Sequence, residues 1–165
     1  MPFAYYTKLT RKQQRIYDQS DAIAYLKLPN AESIQALTEQ LKATLTEGKR
    51  IPVQRVCQQI SNAITRGLKV ESIKIKVLAS RPANDDYELH GYYMPAYKDT
   101  DHTITVYMRT ASRKQVVAFK TFLRTLLHEI CHHLDYELLK LEESYHTEGF
   151  YKRESSLFHQ IVRGD

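Results

Sequence analysis

The sequence predicts an α+β fold in which helices come first, a small three-stranded sheet follows, and two further helices complete the chain. Three observations predict it: apolar residues first recur at helical spacing, then alternate with polar residues, and finally return to helical spacing. A chain of 165 residues with 42% hydrophobic content can bury one substantial core. We therefore expect a single domain, 1–165, with a helical scaffold at 1–69 and the sheet with two helices at 70–162.

Three helices are predicted in the first part of the chain. The first spans about 10–26 and ends ahead of Pro29. The second begins at Asn30 or Ala31 and stops at Gly48, a residue that suits a helix C-terminus. The third runs over 52–67, with proline in its first turn and glycine after its last.

Three strands are predicted next, at 70–78, 87–94 and 103–109. In the first strand, isoleucine and valine alternate with lysine, which is the period of a half-buried strand with its lysines facing outward. The segments 81–86 and 95–101 are predicted to be connections because they are polar and rich in turn-forming residues.

The stretch 113–140 contains neither glycine nor proline and is predicted to be a long helix that carries His128-Glu129-Ile130-Cys131-His132. Positions four apart share one helix face, so His128 and His132 can bind one metal ion, with Glu129 placed to take a proton from water. A helix whose polar face carries these residues by chance is the alternative. The apolar stripe lies on another face, expected to point into a core, and comprises Val116, Phe119, Leu123, Leu126, Leu127, Ile130, Leu134, Leu138 and Leu141.

One further histidine and the two cysteines are not expected to bind the metal ion. His133 lies one position round the helix from the motif and is expected to be a surface or capping residue. Cys131 is expected to be a buried apolar residue that faces away from the metal. Cys57 and Cys131 fit no paired metal motif, which indicates free thiols in a reducing compartment.

Neither a signal peptide nor a membrane span is evident, so we expect a cytoplasmic protein with no membrane partner.

A catalytic zinc takes three protein ligands and leaves a fourth position for water, so a third ligand is expected downstream. His146 is favoured because imidazole suits zinc and because the polar segment around it can turn back toward the long helix. Glu154, in the predicted C-terminal helix at 150–162, is the strongest alternative. The remaining candidates are Glu142, Glu143 and Glu148.

The segment 126–158, with the H-E-I-C-H motif, then His146, Gly149-Phe150 and Arg153, resembles the active-site region of the SprT-like zinc metallopeptidases. The resemblance implies a zincin-like fold in which His128, His132 and His146 bind zinc. It also implies that Glu129 is the catalytic base of peptide hydrolysis. A non-catalytic zinc-containing module that binds nucleic acid or protein on a SprT-like fold is the alternative, and hydrolysis of another amide also stays open.

The residues upstream extend this resemblance. Leu89-His90-Gly91-Tyr92-Tyr93 and 103–108 are similar to the two strands that precede the active-site helix in such enzymes. The second of these is implied to be an edge strand along which an extended polypeptide substrate binds, and its residues include Thr103, Thr105 and Tyr107.

Three residues near the motif are candidates for supporting roles. Tyr145 or Tyr151 is placed to donate a hydrogen bond to a developing oxyanion. Asp135 shares a helix face with His132 and is a candidate acceptor that orients its imidazole; an ordinary exposed acid is the alternative.

The formal net charge is +5, and basic residues concentrate near the N-terminus. Basic side chains set among aromatic ones are typical of surfaces that follow a phosphate backbone and stack on bases, so DNA is a candidate partner. A solvated basic surface is the alternative. The residues concerned are Lys8, Arg11, Lys12 and Arg15, with Tyr5, Tyr6 and Tyr17.

Overall fold

The structure is a computed structural model that describes residues 1–80, 90–111 and 114–163. Within these residues the chain is mixed α+β, with five α-helices, one short 3-10 helix and one three-stranded sheet. The helices are the 3-10 helix Ala4–Lys8, α1 Arg11–Asp21, α2 Ala31–Glu47, α3 Arg50–Leu68, α4 Phe119–Glu137 and α5 Glu148–Ile161. The strands are β1 Lys74–Ser80, β2 Gly91–Met94 and β3 Thr103–Arg109.

Helix α1 begins where the sequence predicts but ends earlier. The Thr10 side chain accepts a hydrogen bond from the Gln13 backbone, and the Gln13 side chain accepts one from the Thr10 backbone, which satisfies donors that a helix start leaves unpaired. The prediction that the helix continues to residue 26 is wrong. The backbone N–H groups of Leu26 and Leu28 bind side chains of α5 instead, at 3.2 and 2.8 Å, so the chain runs along α5.

The ends of α2 and α3 show two different uses of glycine. Helix α2 ends as predicted at Gly48, which adopts a left-handed φ of 72°. Helix α3 instead runs through Gly67 to Leu68, so the prediction that Gly67 follows the helix is wrong. A Cβ atom at Gly67 would lie 2.3 Å from the Asn30 side-chain oxygen, so a larger residue there would require the Asn30 side chain to shift.

The strand order is β1-β3-β2, with β1 parallel and β2 antiparallel to β3. The prediction that β3 is an edge strand is therefore wrong: it is central, with Thr105 2% and Tyr107 7% exposed. Thr103, at the start of the strand, is half-buried. The edges are β1 and β2, because the parallel pairing of β1 with β3 leaves β2 on the other side.

The predicted alternation in β1 is confirmed, since Ile75 and Val77 are buried while Lys74 and Lys76 are exposed. The strand begins later than predicted, at Lys74. Of the second predicted strand, the structure shows Gly91–Met94, whereas 87–89 and the predicted connection 81–86 lie outside the described residues.

The outer edge of β1 is covered by side chains of α3. Gln58 accepts a hydrogen bond from the Ile75 N–H at 2.9 Å and donates one to the Ile73 carbonyl at 2.8 Å. Gln54 accepts from the Val77 N–H at 3.0 Å. These bonds occupy backbone groups that an exposed strand edge would offer to another chain.

Helix α4 packs the middle of its apolar stripe into the core as predicted, but it is shorter than the predicted 113–140, since it begins at Phe119 and ends at Glu137. Five of the predicted stripe residues are fully buried: Leu123, Leu126, Leu127, Ile130 and Leu134. Phe122, which the stripe did not include, is also buried. Cys131 and Cys57 are also buried and are free thiols. No helix in the described ranges is long and apolar enough to cross a membrane.

Candidate metal centre

Three imidazoles meet between α4 and the loop that follows it. His128 and His132 lie one turn apart on α4, and His146 comes from the loop before α5. The Nε2 atom of His146 lies 3.1 Å from Nε2 of His128 and 3.0 Å from Nε2 of His132. The three histidines are close enough to bind one metal ion. In the described part of the chain, they form the one cluster of histidine, cysteine or acidic side chains with that spacing.

The carboxylate of Glu154 orients His128 from behind. Its Oε1 atom lies 2.8 Å from Nδ1 of His128. A carboxylate is an acceptor, so Nδ1 carries the proton and the unprotonated Nε2 faces the other two histidines. Glu154, the alternative third ligand, therefore contacts the far nitrogen of His128, and His146 completes the cluster.

His132 is oriented through a hydroxyl. Its Nδ1 atom lies 2.7 Å from Oγ of Ser144, and that hydroxyl donates to Oδ2 of Asp135 at 2.7 Å. Because the one hydroxyl proton points to Asp135, Oγ accepts from the Nδ1–H of His132. Asp135 therefore contacts the His132 imidazole through the Ser144 hydroxyl and not directly.

The surroundings favour the neutral form of His132 and His146. Burial, with further contributions from His128 and His146, lowers the pKa of His132 to about 3. Burial and the neighbouring His128 also lower the pKa of His146. Metal ions bind the neutral imidazole, so both shifts favour the form that can coordinate.

Phe150 forms the floor under the three rings. It is fully buried at the start of α5, with ring centroids 5.0, 4.8 and 5.2 Å from those of His128, His132 and His146. An apolar floor keeps water away from one side of the cluster and leaves the opposite side for a ligand.

Glu129 stands beside the cluster with little solvent around it. It is 8% exposed and lines two clefts of about 560 and 450 Å³, both of which also include His128 and Gly91. Burial raises the pKa of the Glu129 carboxyl, although the neighbouring His128 opposes that shift. A carboxylate with a raised pKa is a stronger base, as proton abstraction requires.

The two candidate tyrosines occupy different positions. Tyr151 lines the larger cleft with Glu129, and its ring centroid lies 6.0 Å from that of His128. The hydroxyl of Tyr145 donates to the Glu143 carboxylate, and its ring lines a separate cleft of about 390 Å³ beside His132. Of the two candidates, Tyr151 is therefore the one that lines a cleft together with the buried carboxylate.

The prediction that His133 is a surface or capping residue is wrong, because it is fully buried. Its Nε2–H donates to the Glu71 carbonyl at 2.7 Å, and the Tyr93 hydroxyl donates to its Nδ1 at 2.9 Å. The Tyr93 bond joins α4 to β2, and the Glu71 bond joins α4 to the segment that precedes β1. The signal was present in the sequence, since His133 continues the helical spacing of Leu126 and Ile130.

Residues far away in the sequence hold the loop that carries His146. The Tyr5 hydroxyl donates to the His146 carbonyl at 2.9 Å. Thr147 caps α5 by accepting from the Phe150 N–H at 2.8 Å, and its hydroxyl lies 3.1 Å from that of Ser20 in α1. Sequence patterns could not identify the contacts made by Tyr5 and Ser20, because these join segments more than a hundred residues apart.

Gly149 allows α5 to begin directly against the end of α1. Its N–H donates to the Asp21 side chain at 2.9 Å, and an added Cβ atom would lie 2.6 Å from the Asp21 carbonyl oxygen and 2.7 Å from that of Ser20. Both obstacles are backbone atoms, so the two helices would have to separate.

We therefore expect Gly149→Ala to lower the free energy of unfolding by about 1–3 kcal/mol, the usual cost of overpacking. Urea denaturation followed by circular dichroism measures this change. Ser155→Ala, a substitution in the same helix, is the control and is expected to stay within about 0.5 kcal/mol of the wild type. A Gly149→Ala protein as stable as that control would contradict the tight contact.

The basic N-terminal side chains are exposed, but the tyrosines close to them in the sequence are engaged in internal contacts. Tyr17 is fully buried, and its hydroxyl accepts from the Phe3 N–H at 2.9 Å, so it is not available to stack on a base. The Tyr6 hydroxyl donates to Asp18 at 3.1 Å. Lys12 lies 3.2 Å from the Glu142 carboxylate, in the loop that follows α4.

Comparison with known protein families, curated proteins and solved structures finds no match to this chain.

Proposed function

We propose that the protein is a zinc-dependent metallopeptidase in which His128, His132 and His146 bind the ion and Glu129 is the general base. The observation that carries the proposal is the convergence of three imidazole Nε2 atoms beside a buried carboxylate that faces an open cleft. A purely structural zinc site has no need for a general base and fills its fourth position with another side chain.

The donor set fits zinc. Zn–N bonds of about 2.0–2.1 Å in tetrahedral geometry separate two ligand nitrogens by about 3.3 Å. The Nε2 atom of His146 lies 3.1 and 3.0 Å from those of His128 and His132, so small side-chain movements reach the required spacing. Three neutral imidazoles are a ligand set that zinc accepts readily, and they leave one position for water or substrate.

The residues around this site can carry out amide hydrolysis. When bound, zinc acidifies water and polarises the carbonyl of the scissile bond. Glu129 takes a proton from the attacking water as the new C–O bond forms, and passes it to the amine nitrogen as the C–N bond breaks. The Tyr151 hydroxyl donates a hydrogen bond to the developing oxyanion from the same cleft.

We assign the substrate to the outer edge of β2 in place of β3. Gly91 of β2 lines both clefts that contain Glu129, and β3 is the only strand paired with β2 in the described ranges. An extended polypeptide added to this edge would be held mainly by backbone hydrogen bonds, which implies broad sequence preference. The edge of β1 is unsuitable because Gln54 and Gln58 already occupy it.

A zincin-like, SprT-like fold is part of the proposal. It is supported by a metal-binding helix that packs beside a short antiparallel edge strand, and by a second helix, α5, that begins directly after the third histidine. The contact between Gly149 and α1 and the position of Phe150 below the imidazoles give physical roles to the glycine and the aromatic residue of the resemblance.

Zinc content and proteolysis measured on the same preparation test the proposal. Mass spectrometry is expected to find one zinc per chain, and casein is expected to be cleaved until a chelator removes the ion and again after zinc is restored. Assays with and without single-stranded DNA test the basic segment as a binding surface. Full zinc occupancy without cleavage under any of these conditions would contradict the peptidase and support the non-catalytic binding module.

A further inference from the structure

A chain of hydrogen-bonded polar groups runs from the half-buried His132 and Ser144 into the interior between α4, α5 and the end of α1. The imidazole contacts the Ser144 hydroxyl at 2.7 Å, and that hydroxyl contacts Asp135 at 2.7 Å. The other carboxylate oxygen of Asp135 accepts from Nη2 of Arg153 at 3.0 Å. The same Nη2 atom donates to the Ser20 hydroxyl at 2.9 Å.

The charges in this chain are fully removed from solvent. The side chains of Arg153 and Asp135 are 0% and 1% exposed. Nη1 of Arg153 also donates to the carbonyls of Ser20 and Ile23, so the guanidinium is held by the end of α1 as well as by α4. A buried carboxylate that is fixed by a buried cation has a defined position and a defined direction for its second oxygen.

Ser144 is the only link between this fixed carboxylate and the metal cluster in the described part of the chain. Its single hydroxyl proton goes to Asp135, which leaves its oxygen lone pairs for the Nδ1–H of His132. With the proton on Nδ1, the Nε2 lone pair of His132 points toward His146, 3.0 Å away. His128 receives the equivalent constraint directly from Glu154.

We propose that Ser144 is a positioning residue of the metal centre: its hydroxyl transmits the negative charge of Asp135 to His132 and holds that imidazole in the tautomer and rotation that coordinate the ion. Arg153 fixes Asp135 from the far side. The inference rests on the proposed function, because it assigns Ser144 a part in metal binding.

The position of Ser144 links ligand orientation to loop order. Ser144 and His146 are two residues apart in the same loop, so one segment supplies both a ligand and the acceptor that orients another ligand. The loop must be ordered for either contact to form. Metal binding and ordering of this loop are therefore expected to stabilise each other.

The test is the zinc affinity of Ser144 variants, measured by competition with a chromophoric chelator. Ser144→Ala is expected to bind zinc about 10–100-fold more weakly, as is typical when a hydrogen-bond partner of a metal ligand is removed. Ser144→Thr keeps the hydroxyl and is expected to stay within about threefold of the wild type. Ser33→Ala, whose exposed hydroxyl contacts the Asn30 carbonyl, is the control for serine removal.

Nitrogen-15 NMR of the metal-free protein gives a second readout that does not depend on zinc or on activity. His132 is expected to carry its proton on Nδ1 in the wild type and to populate both tautomers in Ser144→Ala, while circular dichroism shows an unchanged fold. A Ser144→Ala protein with wild-type zinc affinity and an unchanged tautomer would overturn the role of Ser144 and leave the peptidase proposal standing. A wild-type protein that binds no zinc would instead overturn the proposed function.

Discussion

Replacement of Glu129 by glutamine is expected to abolish peptide hydrolysis while zinc content stays unchanged. The amide has nearly the same size as the carboxylate but cannot take a proton from water. General-base catalysis commonly contributes about 10²–10⁴-fold. Among the described residues, Glu154 is the other carboxylate that lines the larger cleft, and it is bound to His128. We therefore expect kcat/KM for a fluorogenic peptide to fall at least about 10²-fold, measured together with zinc content by mass spectrometry.

Glu148→Gln is a suitable control for this experiment. Glu148 is an exposed carboxylate at the start of α5 that pairs with Lys152, so its loss is expected to leave hydrolysis within about twofold of the wild type. If Glu129→Gln kept activity within tenfold of the wild type with full zinc occupancy, another group would be the base, and the proposed mechanism would be wrong.

Removal of the His146 side chain is expected to eliminate stable zinc binding. The substitution His146→Ala leaves two imidazoles from a single helix, and two protein ligands are fewer than catalytic zinc sites use. The loss of affinity should exceed the roughly 10–100-fold that follows removal of an outer hydrogen-bond partner. Chelator competition and zinc content after dialysis both measure it.

Two matched variants show whether this effect is specific to His146. Glu154→Ala removes the acceptor for Nδ1 of His128 and is expected to weaken zinc binding by only about 10–100-fold. His159→Ala changes an exposed histidine on α5 and is expected to have no effect. Loss of zinc from Glu154→Ala but not from His146→Ala would reverse the assignment of the third ligand.

The parts of the fold that sequence reasoning predicted correctly depend on local periodicity. The spacing of apolar residues along α4 reports which face is buried, and the same periodicity places His128 and His132 together on another face. The left-handed stop at Gly48 and the alternation in β1 are likewise properties of neighbouring residues. These features could be predicted because the chain needs no distant partner to determine them.

The wrong predictions concern features that depend on contacts with residues distant in the sequence. The family resemblance implied that β3 is the edge strand, but β2 occupies that edge. Local alternation could not correct this, because it shows which face of a strand is buried but not which strand lies next to it. The end of α1 depends on α5 side chains that bind the backbone of Leu26 and Leu28. His133 is buried because Tyr93 and the Glu71 carbonyl satisfy both of its ring nitrogens.

The supporting residues of the metal centre were the hardest to predict. Nothing in the local sequence marks Ser144 as the contact between Asp135 and His132, and its role depends on the path of the loop after α4. Arg153 was named only as part of a family resemblance, yet it is a fully buried cation bound to two distant segments, the end of α1 and α4. Hydrogen bonds between side chains of distant segments leave no periodic signal.

The claim on which this account depends is that three imidazoles bind one zinc ion and leave a position for water. Zinc K-edge X-ray absorption spectroscopy of the zinc-loaded protein tests it directly. We expect about four nitrogen or oxygen ligands near 2.0 Å, with outer scattering from three imidazoles and no sulfur. A sulfur ligand near 2.3 Å, or fewer than three imidazoles around one equivalent of zinc, would contradict it.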